Sequence, residues 1–293
     1  MVRQVIRWLA VCGLLSFTVM AIAQAKEEYL DVYRVQVKPE KRAEFDALSK
    51  KVADANRKNG GDNWVTLESM YGEGNVLTFI STRSSYGDIE KAMGNFMGSM
   101  AKVYGQDQSM KMMGDWSTCV NWSRGELRRR RWDLSSNAPQ DAAAMAKLVG
   151  QSRYLRTTRV VVRSGRSADF EAMVKEVKAV REKSAPNDVT LVSQVVAGEE
   201  GTVYYVTILQ PSLAGYDTIA TQQKLLGDEG YQKWLKTQAD VVETASTTIH
   251  RFVPEMSNAA TEIAAASPDF WNPKPVVAAK KPAAKKAPKA EGQ

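Results

Sequence analysis

Residues 29–52 and residues 154–177 of this 293-residue chain are two versions of one segment. They align without a gap at a constant offset of 125 residues, and ten of the 24 aligned positions are identical. So much identity indicates an internal duplication, which restricts the fold to two similar halves. The identical residues of the first copy are Tyr29, Leu30, Arg34, Val35, Val37, Ala43, Phe45, Ala47, Lys50 and Val52.

The first 25 residues have the features of a secretory signal peptide. Arg3 and Arg7 precede an apolar run over residues 8–23, and Ala23 and Ala25 stand at the −3 and −1 positions of a cleavage site. The apolar run is shorter than the ~20 residues that a membrane-spanning helix needs. We therefore expect an exported protein, periplasmic or secreted, with no transmembrane segment after cleavage.

Cysteine and charge limit the class of protein further. Cleavage after Ala25 would remove Cys12 and leave Cys119 alone, so the mature chain would have no internal disulfide. The formal net charge is +7, but residues 274–293 hold six lysines and one glutamate. A basic excess confined to one end is typical of an appendage rather than of a nucleic-acid-binding surface. We expect no nucleic-acid partner, and a weak contact of this tail with an anionic envelope surface.

Both halves show the same order of strand-like and helix-like periodicity: strand, helix, strand, strand, helix, strand. This order predicts two ferredoxin-like βαββαβ repeats. The predicted boundaries are a signal peptide over residues 1–25, repeat 1 over 26–137, a linker with a short helix over 138–152, repeat 2 over 153–257, and a disordered Lys/Ala/Pro-rich tail over 258–293.

Two consecutive units of this kind resemble a fused pair of dimeric α/β-barrel modules. That superfamily includes antibiotic-biosynthesis-type monooxygenases and NIPSNAP-like proteins, and the resemblance covers about residues 29–255. It implies an α+β fold in which the two repeats pair into one barrel with helices outside, the second repeat taking the place of a second subunit. Such a chain could be a monomer or a homodimer. No catalytic motif of the family matches, so no family residue roles are transferred.

Arg34 and Arg159 occupy equivalent positions in the first strand of each half. If Tyr33, Val35 and Val37 pack under a helix, Arg34 points to the opposite face, which would be the barrel interior. Two guanidinium groups there could bind a small acidic ligand. The alternative is that each arginine pairs with an acidic residue of the fold.

His250 is the only histidine. One histidine cannot form a zinc site, so no metal and no cofactor are predicted. His250 could still ligate haem iron from one side or act as an acid or base. Its counterpart in the first half is Arg128, which favours a polar residue on the closing strand. The run from Arg128 to Arg131 is typical of a solvated edge strand.

Two functions follow from these observations. Because no catalytic constellation is present, the first interpretation is a non-enzymatic exported module that binds a small ligand in or beside the barrel. The alternative is a barrel-type monooxygenase or haem-linked oxidoreductase, with a pocket formed by aromatic and polar side chains. The side chains that could supply either site are Arg34, Arg159, Tyr33, Trp64, Trp116 and His250.

Overall fold

The computed structural model describes residues 27–273 of the chain. The predicted signal peptide and residues 274–293 of the predicted tail lie outside the described residues. Eight strands form one closed antiparallel barrel. They are β1 (Tyr29–Val37), β2 (Val65–Tyr71), β3 (Val76–Arg83), β4 (Val120–Arg130), β5 (Tyr154–Val162), β6 (Leu191–Ala197), β7 (Thr202–Gln210) and β8 (Val242–Phe252).

The order around the barrel is β1-β3-β2-β8-β5-β7-β6-β4. The first four strands of the chain are therefore contiguous, as are the last four, and the two sets meet where β2 pairs with β8 and β4 pairs with β6. A closed barrel has no free strand edge, so every strand has two hydrogen-bonded neighbours. The predicted mixed α+β fold with a barrel is confirmed.

Eight helices accompany the strands in the described part of the chain. Ser85 caps the helix Tyr86–Tyr104 by accepting a hydrogen bond from the Asp88 amide, and Gly60 ends the helix Arg42–Asn59 with a left-handed backbone, φ 61°. The helices are α1 (Arg42–Asn59), α2 (Tyr86–Tyr104), α3 (Gln106–Thr118), α4 (Ala142–Gln151), α5 (Ser167–Ser184), α6 (Gln222–Val241), α7 (Thr261–Ala265) and α8 (Pro268–Trp271). None of the helices between residues 27 and 273 is long and apolar enough to span a membrane.

Strand alternation separates an outer face from an inner face. Val35 and Val37 of β1 pack against Phe45 of α1, as their spacing predicts. In the second half, Val160 and Val162 of β5 pack against Phe170 of α5. The helices therefore cover the outside of the barrel, and the intervening residues of each strand point into its interior.

The prediction of a disordered tail from residue 258 is wrong for residues 258–273. Asn258 forms a β-bridge to Trp64, and two short helices, α7 and α8, follow it. Trp271 is only 2% exposed, and its indole NH donates a 2.8 Å hydrogen bond to the Gly150 carbonyl of α4. The physical reason is burial of apolar surface: Trp271 packs edge-on against Phe252 of β8, with ring centroids 5.5 Å apart.

Candidate functional site

The interior of the barrel is a cavity of about 800 Å³. This volume lies within the ~300–1,000 Å³ typical of small-molecule sites. Its walls are the inward-facing residues of the strands, and the segment before β2 together with α2, α4 and α7 borders its mouth. The barrel is therefore not packed solid with side chains.

One part of the cavity wall is apolar. Phe252, Leu155 and Leu209 belong to a single buried cluster that also includes Leu67 and Leu191. Met145 of α4 packs against the same cluster, and so do Val149 and Ile263. The linker helix and the first C-terminal helix thus extend the apolar wall at this end.

The opposite part of the cavity is polar and contains a buried ion-pair network. Arg128 of β4 donates a 2.9 Å hydrogen bond from Nε to Oε2 of Glu126, two residues earlier on the same strand, and its Nη2 lies 2.8 Å from the same oxygen in a salt bridge. Arg34 of β1 lies 3.7 Å from the other oxygen of Glu126. Burial raises the pKa of Glu126, but the charge and hydrogen bond of Arg128 offset this, and the net shift is downward. Glu126 is therefore a carboxylate shared by two arginines.

Arg159 of β5 has its own partner. Its guanidinium donates a 2.6 Å hydrogen bond to Glu199, which follows β6. Three guanidinium groups, those of Arg34, Arg128 and Arg159, thus face two carboxylates, those of Glu126 and Glu199. One positive charge of this network has no counter-charge within it, which favours an anionic group in the cavity.

His250 of β8 lines the same cavity and is only 6% exposed. Its Nδ1 lies 3.4 Å from the hydroxyl oxygen of Ser69 on β2. Burial lowers the pKa of His250 to about 4, and the charges of Arg34 and Arg128 contribute. The imidazole is therefore neutral at neutral pH and can accept a proton or bind a metal ion.

Three buried oxygen atoms in this region have no hydrogen-bond partner among the described residues. They are Oε1 of Glu126 and the hydroxyl oxygens of Thr78 and Tyr205. Burial also raises the pKa of Tyr205, so its phenol remains protonated and able to donate. Glu126 and Tyr205 interact with each other and so compensate in part, whereas the Thr78 hydroxyl lines the cavity without a partner, which favours a polar ligand group there.

The structure brings together four of the six candidate residues of the sequence, and Tyr33 and Trp116 lie outside the cavity. Arg34, Arg159, Trp64 and His250 line the cavity. The Trp64 indole NH donates to the Met256 carbonyl at 2.7 Å, so its polar group is already used by the fold. Tyr33 is on the outer face, 41% exposed and stacked on Trp116. Alternation along β1 places Tyr33 outside because Arg34 points inward.

Sequence reasoning missed Glu126, Arg128 and Tyr205. The prediction of an edge strand for the arginine run is wrong, because β4 pairs with both β1 and β6. Arg128 is 7% exposed inside the barrel, whereas Arg131 pairs with Glu171 of α5 on the outside. One sequence signal could have identified Arg128 as a cavity residue. It is the counterpart of His250, and both belong to the last strand of their half.

No protein-family model and no curated protein sequence matches this chain. Solved structures do match. A candidate monooxygenase from Lactobacillus acidophilus NCFM is 9% identical with a TM-score of 0.49, and the match covers 80% of this chain and 97% of that one. An anthrone oxidase-like protein is 13% identical with a TM-score of 0.48, covering 79% and 93%. A haem-binding protein from Thermus thermophilus is 10% identical with a TM-score of 0.42, covering 79% and 93%.

These matches correct the first functional interpretation of the sequence, a non-enzymatic ligand-binding module. The similar structures are described as monooxygenase, oxidase-like and haem-binding proteins, in line with the alternative interpretation. The likeness concerns the fold. The activity of this chain is argued from its own cavity.

Proposed function

We propose that the chain is an oxidoreductase of the oxygenase type, whose substrate binds in the barrel cavity as an anion. The observation that carries the proposal is a neutral, buried His250 facing the same cavity as Arg34 and Arg128. A proton acceptor next to an uncompensated positive charge favours deprotonation of a bound substrate. The apolar wall around Leu155 and Phe252 selects a substrate with an apolar ring system.

The low pKa of His250 is compatible with this role. Part of the shift comes from Arg34 and Arg128, and an anion bound beside these arginines would reduce their effect on the imidazole. The same two arginines lower the pKa of the substrate by stabilising its conjugate base. Both effects favour transfer of a proton from substrate to His250 inside the cavity.

An ionised phenol or an acidic C–H next to a ring ketone is electron-rich enough to react with O₂ directly. A carbon–oxygen bond then forms, and cleavage of the O–O bond leaves a carbonyl and releases water. The overall change is CH₂ + O₂ to C=O + H₂O, with the substrate as reductant and O₂ as oxidant. The residues of this chain bind and orient the anion, and His250 holds the proton.

Oxygen uptake tests the proposal. Anthrone and 1-naphthol, whose keto tautomers carry a CH₂ para to the carbonyl, serve as ionisable probes, and 1-methoxynaphthalene, which cannot ionise, serves as the substrate control. We expect uptake only with the ionisable probes. Replacing His250 with Gln should lower kcat by about 10²-fold or more, the range measured for general bases. Arg251→Met is the matched control, because Arg251 is the next residue of β8 but lies on the outer face, paired with Glu68. No uptake above the protein-free rate with any ionisable probe would refute the proposal.

Haem is a second candidate because the neutral imidazole of His250, in a large cavity, could bind its iron. Ser69 faces Nδ1 of His250, which leaves Nε2 for an iron atom, and Arg34 and Arg128 could pair with the carboxylates of the group. When bound, haem would supply one-electron chemistry with oxygen species. An absorption spectrum with added haemin separates the candidates: a Soret band that His250→Ala removes supports haem, and an unchanged haemin spectrum excludes it.

Three finer features of the sequence belong to this proposal. We propose that the two halves are ferredoxin-like copies of one ancestral unit, that the protein is exported, and that its lysine-rich end contacts an anionic surface. The constant offset between residues 29–52 and 154–177 supports the duplication. The masses of the mature protein and of its native assembly, measured by mass spectrometry, test cleavage after Ala25 and the expected monomer or homodimer.

A further inference from the structure

A second cavity lies in the C-terminal half, outside the barrel. It is about 410 Å³ in volume and lies between the outer face of β5, β6, β7 and β8 and the helices α5 and α6. It shares no lining residue with the barrel cavity. Any ligand there would be independent of the oxygenase proposal.

The equivalent space in the N-terminal half is filled. On β1 and β3, Tyr33 and Phe79 are register partners, and both rings lie against Trp116 of α3, at 6.2 Å and 6.1 Å between centroids. The register partners at the same positions of β5 and β7 are Thr158 and Val206. The second half thus has two small side chains where the first has two aromatic rings, and the cavity follows from this difference.

Most of this cavity is apolar. Val174 of α5, Val206 of β7 and Trp234 of α6 pack at its wall within one hydrophobic cluster. None of its lining residues is a histidine or a cysteine. The wall therefore suits the hydrocarbon part of an organic molecule rather than a metal-based group.

One end of the cavity carries two incompletely paired cationic groups, the buried Arg181 and the half-buried Arg156, which stacks on the Tyr216 ring. Arg181 of α5 is 6% exposed, and its Nη1 has no hydrogen-bond partner among residues 27–273. Asp188 is 3.8 Å away, too far for a hydrogen bond, and it also accepts from the Ala220 amide. Arg156 lines the same cavity and forms no salt bridge within the described part of the chain. The buried Thr190 hydroxyl is also without a partner.

A buried guanidinium nitrogen without a hydrogen bond is costly, so this geometry indicates a missing acceptor. Two arginines against one aspartate leave one positive charge for a ligand to neutralise. At the ~30 Å³ that one water molecule occupies in the liquid, the cavity holds roughly a dozen non-hydrogen atoms. We propose that this second cavity binds a carboxylate with an unbranched apolar body of about ten carbon atoms, its carboxylate on Arg181 and Arg156.

Isothermal titration calorimetry with sodium decanoate tests the proposal on the full chain. We expect wild-type protein to bind decanoate, and decanol, which has the same body without the charge, to bind at least tenfold more weakly. Val206→Phe introduces at this position the side chain that Phe79 has in the first half. The ring should fill the cavity and remove one bound decanoate. Thr158→Tyr, which introduces the side chain that Tyr33 has in the first half, is a second cavity-filling variant in case the first fails to fold. Arg181→Met should weaken binding at least tenfold.

Arg34→Met changes only the barrel cavity and should leave this binding event intact. The proposal is overturned if wild-type protein binds no decanoate, if decanol binds equally well, or if the folded filling variants bind decanoate like the wild type. A decanoate site lost only in Arg34→Met would place the ligand in the barrel and equally overturn it. We expect Val206→Phe to take up oxygen with the ionisable probes as the wild type does, because Val206 does not line the barrel cavity. A loss of decanoate binding in this variant is therefore independent of the oxygenase proposal.

Discussion

The guanidinium carbon of Arg128 lies 3.4 Å from the centroid of the Tyr205 ring, across the β4–β6–β7 side of the barrel. The same guanidinium donates a hydrogen bond to Glu126 and forms a salt bridge with the same carboxylate oxygen. A cation held by both a carboxylate and an aromatic face has little conformational freedom. The cationic end of the cavity is therefore organised before any ligand binds, which reduces the entropy lost on binding.

Removing the charge of Glu126 should destabilise the fold. Its side chain is fully buried between Arg34 and Arg128, so Glu126→Gln leaves the buried guanidinium of Arg128 and the half-buried one of Arg34 without a counter-charge. We expect a loss of about 3–5 kcal/mol in the free energy of unfolding, measured by urea denaturation. Asp115→Asn, which breaks the exposed pair with Lys111, is the control and should cost at most about 1 kcal/mol. Equal effects of both substitutions would contradict the described network.

The ionisation of His250 can be followed directly, because it is the only histidine in the chain. We expect its imidazole C–H signal in proton NMR to titrate with a pKa of about 4. In Arg128→Met this pKa should rise but stay below 6.5, since burial is the larger cause and remains in the variant. Arg251→Met should leave it unchanged. A wild-type pKa near 6.5 would show that His250 is not buried beside the arginines.

The lowered pKa of His250 makes the free energy of unfolding depend on pH. Between pH 6.5 and pH 4 the unfolded chain binds a proton at His250 that the folded chain does not, so stability falls as the pH falls through this range. A difference of about 2.5 pKa units at ~1.36 kcal/mol each corresponds to roughly 3 kcal/mol. We expect His250→Gln to lose less stability than the wild type between pH 7.5 and pH 4.5. Parallel losses in the two proteins, measured by chemical denaturation, would exclude this contribution.

Trp271 should anchor the C-terminal segment to the barrel. It is almost fully buried, packs against Phe252, and donates to the Gly150 carbonyl. Trp271→Ala is expected to cost about 3–5 kcal/mol, as for other large aromatic truncations, and to lower Tm. Tyr71→Ala is the control, because Tyr71 is 63% exposed. A Tm change as small as that of the control would mean that residues 258–273 contribute little to the fold.

Local periodicity predicted most of the helices and strands, but it did not predict accurately where each of them begins and ends. Periodicity alone predicts the second helix of repeat 2 over residues 229–244 and its last strand from Thr247. In the structure this helix is Gln222–Val241, and the strand begins at Val242. Gly227, with φ 67°, interrupts the helical backbone near its start and hides that start from a periodicity argument. The β-branched residues from Val242 onward fit a strand once β5 is available to pair with them.

The candidate site was only partly visible in the sequence. Alternation along β1 and β5 was enough to predict that Arg34 and Arg159 face inward, and both line the cavity. Nothing local marked Glu126 or Tyr205, because their proximity depends on β4 and β7 lying on either side of β6. Such a contact between residues 79 positions apart in the chain is a property of the closed barrel alone.

The sequence by itself determined the mixed α+β class and the inward direction of Arg34, since these follow from the order of helical and strand periodicity and from the two-residue period of a strand. The tertiary structure decided that β4 is an interior strand, that residues 258–273 pack on the barrel, and that Thr158 and Val206 leave open a space that Tyr33 and Phe79 fill. The physical reason is that burial and cavity volume depend on side chains brought together from distant parts of the chain, which local patterns do not record.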